Sequence, residues 1–164
     1  MSAVLSLTIG VCLALSLASP AFGNEWKIDD TISALDGQRT YVAILHSTNT
    51  IRNSGGSDEP ATLAIRCRGG YLDTYIAWPQ ALTMGAVTIQ WKADTGNSTT
   101  EVWAVSADGS TAFSESSRAF LAKLRGAHRA TFQASLANFD SLQANFNVTG
   151  VEAIIDTALA ACPP

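Results

Sequence analysis

The residues of this 164-residue chain with types suited to chemistry are few: Cys67 and Cys162, His46 and His128, the adjacent acids Asp29 and Asp30, and the set Arg66, Arg68, Tyr71, Asp73 and Tyr75. A metal site needs at least three converging donors. His46 and His128 each stand alone, one ending an apolar strand-like run and one beginning another, so polar strand ends are expected. Asp29 and Asp30 suggest paired carboxylates, yet neighbours on a strand point to opposite faces, and a solvated loop is expected. The chain carries no G-x-S-x-G elbow, H-E-x-x-H, C-x-x-C or phosphate-cradling glycine loop. No catalytic, cofactor-binding or metal-binding set is therefore expected, and no enzyme.

The cysteines direct attention to the compartment. Residues 1–23 hold no Lys, Arg, Asp or Glu and contain an apolar run leading to Ala21-Phe22-Gly23. That pattern fits a cleavable export signal, placing the mature start near Asn24 and Cys12 in the removed segment. As a membrane anchor the run is poor, because it lacks flanking charge and Pro20 interrupts it. Residues 24–164 are then expected to form a single exported domain, in an oxidising compartment and without stable membrane insertion. Its net charge of −4 gives no footprint for nucleic acid.

The elements follow from periodicity. Residues 40–46 read as a strand, 47–53 as a polar loop and 54–60 as a flexible connector. Residues 61–68 and 71–78 read as a hairpin joined by Gly69-Gly70. In that register Arg68 faces Tyr71, Cys67 faces Leu72 and Arg66 faces Asp73, with Leu63, Ile65 and Cys67 on the core side. A second hairpin spans 87–106, a helix opens at 114–117 with a carboxylate near its start, and a third hairpin spans 128–148. A final helix begins with a capping box, Thr149 and Glu152. Its apolar stripe is Val151, Ile154, Ile155, Ala158, Leu159 and Cys162.

Both cysteines thus point inward, one from a central hairpin and one from the helix expected to cover it. In an oxidising compartment a Cys67–Cys162 disulfide is the expected outcome; two separate buried thiols are the alternative. The fold class is α+β, with antiparallel hairpins in one or two sheets and two helices, the C-terminal helix packed on the sheet.

Arg66, Arg68, Tyr71, Asp73 and Tyr75 share the opposite sheet face, and Arg with Tyr is a composition favoured in protein contacts. The plainer reading is an Arg66–Asp73 cross-strand pair shielded by Tyr. Trp26, Trp78, Trp91 and Trp103 could stack on glycans, but the last three alternate with core positions and are expected inside.

Several segments, taken in order, resemble one family. They are Leu63-Ala64-Ile65-Arg66-Cys67, Tyr75-Ile76-Ala77-Trp78, the run from Trp103 through Asp108-Gly109 to Phe113, Phe146-Asn147-Val148-Thr149-Gly150 and the closing Ala160-Ala161-Cys162. Together they are similar to the VasI/TagO-like periplasmic proteins associated with type VI secretion systems. The chain departs from that pattern at Gln90-Trp91-Lys92 and at the turn 137–140. The resemblance implies a non-enzymatic accessory role beside an envelope-associated secretion-system protein, no cofactor, and a disulfide that is a family trait. A periplasmic inhibitor or a small-ligand or glycan-binding module is the alternative.

Overall fold

The computed structural model describes residues 25–94, 96–136 and 140–164; the expected leader and part of the 137–140 turn lie outside them. Nine strands form one antiparallel sheet: β1 (Lys27–Ile32), β2 (Arg39–Arg52), β3 (Asp58–Arg68), β4 (Tyr71–Ala77), β5 (Ala86–Ala93), β6 (Thr99–Val105), β7 (Thr111–Phe113), β8 (Arg129–Ser135) and β9 (Ser141–Asn147). Two helices, α1 (Ser117–Leu124) and α2 (Val151–Ala161), complete it. The strand order is β1-β2-β3-β4-β7-β6-β5-β8-β9. The single sheet makes definite what alternation left as one sheet or two.

The sheet curls until β9 meets β2. Thr48 Oγ1 donates to the Asn145 carbonyl at 3.1 Å, Asn49 Nδ2 donates to the Gln143 carbonyl at 2.9 Å, and Asn145 N–H donates to Asn49 Oδ1 at 2.8 Å. This seam corrects the expected polar loop at 47–53. Residues 47–52 continue β2 through a bulge between His46 and Thr50. Their polarity serves the seam, and Ser47 Oγ also accepts the Ala61 N–H at 2.9 Å. The connector at 54–60 is likewise shorter than expected, since β3 already begins at Asp58. Pro60 is tolerated because β4 joins β3 only from Thr62, leaving one ladder to satisfy there.

Asp29 and Asp30 also lie in a strand and not in a loop. They sit on β1, and Asp30 pairs with Arg39 of β2 at 2.6 Å. That ion pair adds to a six-residue backbone ladder with β2, which holds the strand despite two residues that disfavour it. The three-residue β7, which no periodicity marks, bridges β4 and β6.

The concave face holds one core. Trp91, Trp103, Phe120, Phe132 and Phe146 are all buried, with ring centroids 4.8 Å apart for Trp91–Phe120 and 5.8 Å for Phe132–Phe146. Helix α1 starts later than the 114–117 run suggested and has no acid in its first turn. The Ser117 hydroxyl explains the offset: it accepts the Thr74 N–H of β4 at 2.9 Å and anchors the helix to the sheet. Glu101 of β6 faces the same core side, in register with Ile89. It accepts from Lys123 of α1 at 2.9 Å and from Trp103 Nε1 at 3.1 Å.

Helix α2 buries Val151, Ile154, Ile155 and Ala158, the stripe that the spacing predicts. The Thr149–Glu152 capping box does not form. Thr149 Oγ1 donates to Asn147 Oδ1 at 2.6 Å, and Gly150, at φ 83°, is the residue that leads into the helix. Only a residue without Cβ takes that left-handed value cheaply. Glu152 instead bonds Arg125 beyond α1 at 3.3 Å, and Asp156 bonds the same guanidinium at 2.7 Å. Arg118 donates to the Cys162 carbonyl, tying α1 to the end of α2.

Cys67 and Cys162 form a disulfide, with a Cα–Cα distance of 5.6 Å and a sequence separation of 95. Chain entropy assigns such a loop about 4 to 5 kcal/mol as an upper figure. Cys67→Ala/Cys162→Ala is therefore expected to lower unfolding stability by about 2 to 5 kcal/mol in urea titration. Peptide mapping without reductant is expected to recover the 67–162 cross-link. Free thiols in the protein purified without reductant contradict it.

The Glu101 clamp gives a second test. Partial burial pushes this carboxyl up, but the hydrogen bonds from Lys123 and Trp103 outweigh it and leave its pKa below the ordinary 4.5. A carboxyl lowered in the folded state contributes stability that is present above the unfolded value and lost as pH falls through the folded one. Glu101→Gln is expected to cost about 1 to 2 kcal/mol at neutral pH. The difference from wild type should shrink on acidification below 4.5. A difference independent of pH contradicts the assignment.

Candidate functional site

The β3–β4 hairpin turns at Gly69 and Gly70, whose φ values of 57° and 79° suit a two-residue primed turn. The register is the one the sequence predicts: Arg68 opposite Tyr71, Cys67 opposite Leu72, Arg66 opposite Asp73. Cys67 and Leu72 accordingly face the core, and Arg66, Arg68, Tyr71, Asp73 and Tyr75 all lie on the convex face.

Within that face the five residues divide into two parts. Arg66 Nη2 bonds Asp73 Oδ2 at 2.7 Å, and its guanidinium carbon lies 5.4 Å from the centre of the Tyr75 ring. Tyr75 in turn meets Phe113 of β7 at 5.1 Å. These contacts form a closed, half-exposed cluster that finishes the sheet surface. Arg68 and Tyr71 form the open part. Arg68 is exposed and has no ion pair among the described residues, and Tyr71 is 78% exposed. Arg66, Asp73 and Tyr75 thus form the cross-strand cluster, while Arg68 and Tyr71 stand outside it. In register beside Arg68 stand Thr40 of β2 and, one strand further, Thr31 of β1.

The other candidates separate. His46 Nδ1 meets Thr62 Oγ1 at 3.1 Å, a cross-strand hydrogen bond. The His128 side chain is 73% exposed and lies 4.0 Å from Asp94. The Arg39 guanidinium holds the Asp30 carboxyl below its ordinary range. Among the described residues no three His, Cys, Asp or Glu side chains gather as metal ligands would. Trp78, Trp91 and Trp103 are buried at 3%, 3% and 0% exposure, so these three cannot line a glycan groove. No helix among the described residues is long and apolar enough to cross a membrane.

Sequence reading passed over a second surface, on the convex face of β5, β8 and β9. Two adjoining clefts of about 280 and 340 Å³ share Thr131. Gln90, Lys92, Gln133 and Gln143 line the first, and Arg129, Asn145 and Asn147 line the second. Their signal is the polar half of each alternating strand, which looks like any solvated sheet face until the strand order places the rows side by side. Comparison of the chain with protein-family models, with curated proteins and with solved structures gave no match.

The division of the β3–β4 face is testable by stability alone. Arg66→Ala removes an ion pair and a cation–π contact and is expected to cost about 1 kcal/mol. Arg68→Ala should stay within about 0.5 kcal/mol of wild type. Equal losses in urea midpoints contradict the division.

Proposed function

We propose that the protein is a non-enzymatic accessory component of a type VI secretion system, acting in the periplasm through protein contacts. The observation that carries this reading is the open part of the β3–β4 face, where Arg68 and Tyr71 project from a hairpin held rigidly by its turn and by Arg66. A large aromatic ring beside an unpaired guanidinium is a composition that anchors interfaces. Order on both sides of the hairpin keeps the entropy cost of binding low. Two further observations support the reading. The motif residues from Leu63 to Cys162 resemble the VasI/TagO-like proteins in order and spacing. The Cys67–Cys162 bond suits an oxidising compartment.

The partner is an envelope-associated protein that presents a carboxylate to Arg68 and an apolar recess to Tyr71. Arg68→Ala/Tyr71→Ala is expected to abolish co-purification with a secretion-system component from cells. Arg66→Ala is expected to weaken it less. Unchanged recovery of the double variant contradicts the proposed face, and cleavage of peptidoglycan by the purified protein contradicts the non-enzymatic assignment.

A further inference from the structure

The convex face of β5, β8 and β9 carries two kinds of polar group in neighbouring rows. Register places Gln90 opposite Gln133 and Gln133 opposite Gln143, so three carboxamides form one row across three strands. Strand spacing sets successive members roughly 5 Å apart. Gln90 bonds Ser98 at 3.3 Å, Gln133 bonds Ser141 at 2.7 Å and Gln143 bonds Asn145 at 3.2 Å. Each bond occupies one end of a carboxamide. The other end of each has no hydrogen-bond partner among the described residues, and all three residues line the first cleft.

The next rows supply charge. Lys92 stands opposite Thr131, and Arg129 is its diagonal neighbour on β8, a separation of roughly 7 to 8 Å in a sheet. Neither cation has an ion-pair partner among the described residues, in a chain whose net charge is −4. Asp94, the nearby carboxylate, bonds the backbone N–H groups of His128 and Arg129 at 3.1 and 2.8 Å. Its negative charge offsets only part of this local excess.

A ligand that matches both rows presents hydroxyl groups at sugar-like intervals to the carboxamides and a negative charge to Lys92 and Arg129. A simple anion satisfies only the second row, and a neutral glycan only the first. We propose that these adjoining clefts bind a segment of acidic glycan, with the carboxamide row holding its hydroxyls and Lys92 and Arg129 its carboxylates. Among the described residues no exposed aromatic ring lines the site, so affinity comes from hydrogen bonds and charge, and salt weakens it. It lies on different strands from the β3–β4 face, and the two readings stand or fall separately.

The probe is an oligogalacturonate, titrated into the purified protein by NMR beside a neutral malto-oligosaccharide of equal length and beside sulfate. The side-chain amide signals of Gln90, Gln133 and Gln143 are expected to shift with the uronate, and the neutral oligomer should bind about tenfold more weakly. Lys92→Gln/Arg129→Gln is expected to reduce uronate binding to the level of the neutral oligomer. Gln133→Ala should weaken both glycans and leave sulfate unaffected. Arg68→Ala/Tyr71→Ala should change none of these titrations. The proposal is overturned if the uronate produces no shifts, if sulfate matches it in affinity, or if the charge-removing variant binds as wild type does.

Discussion

The closure of the sheet at β2 and β9 is the constraint on which the rest of this structure depends. An open nine-stranded sheet needs broad cover for its apolar face, and the helices among the described residues are only 8 and 11 residues long. Curling solves the problem, because the concave faces of β2 and β9 then cover one another's core. Thr48 and Asn49 complete the curl with bonds to the backbone of β9, doing with side chains what a strand ladder does with main chain. The lower part of the same β2 edge is filled by β1, which pairs with residues Arg39 to Ile44. One long strand thus serves two partners in succession, and its bulge marks the change.

Closure leaves the helices as plugs, and each is fixed by polar contacts at its ends. Helix α1 is tied to β4 through Ser117 and to β6 through the Lys123–Glu101 pair. Helix α2 is tied to β3 by the disulfide. The two helices are joined through Arg118 to the Cys162 carbonyl and through Arg125 to Glu152 and Asp156. A guanidinium at the carboxyl end of α2 also opposes the helix dipole there. The apolar stripe selects which side of α2 faces the core, and these links select its position along the sheet.

What was legible in the sequence was whatever a short-range rule could fix. The glycine pair at 69–70 sets a register, so the pairing of Arg66 with Asp73 and the inward direction of Cys67 follow from a turn and a period of two. The stripe on α2 follows from the helical period in the same way. The failures concern residues whose role lies far along the chain. Asn49 is polar because it bonds β9, 94 residues away, and local composition presents it as loop. Ser117 and Thr149 have the chemistry of helix caps, but one is engaged by β4 and the other by Asn147. The carboxamide row has no local signature, since only the order β5-β8-β9 brings Gln90, Gln133 and Gln143 together.

The same topology sets the relation between the two outward surfaces. With β9 against β2, the strands from β2 to β9 follow one another round a ring, and in that order β3 and β4 are separated from β5 and β8 by β7 and β6 on one side. On the other side only β2 stands between β3 and β9, and Thr48 of β2 lines the second cleft. Arg68 meets β2 at Thr40, whereas the second cleft meets it at Thr48, eight residues further along that strand. Both faces are carried by one continuous ladder of strands, and a closed sheet resists shear. The seam and the second cleft share Thr48 and Asn145, so the bonds that close the sheet also fix one wall of that cleft.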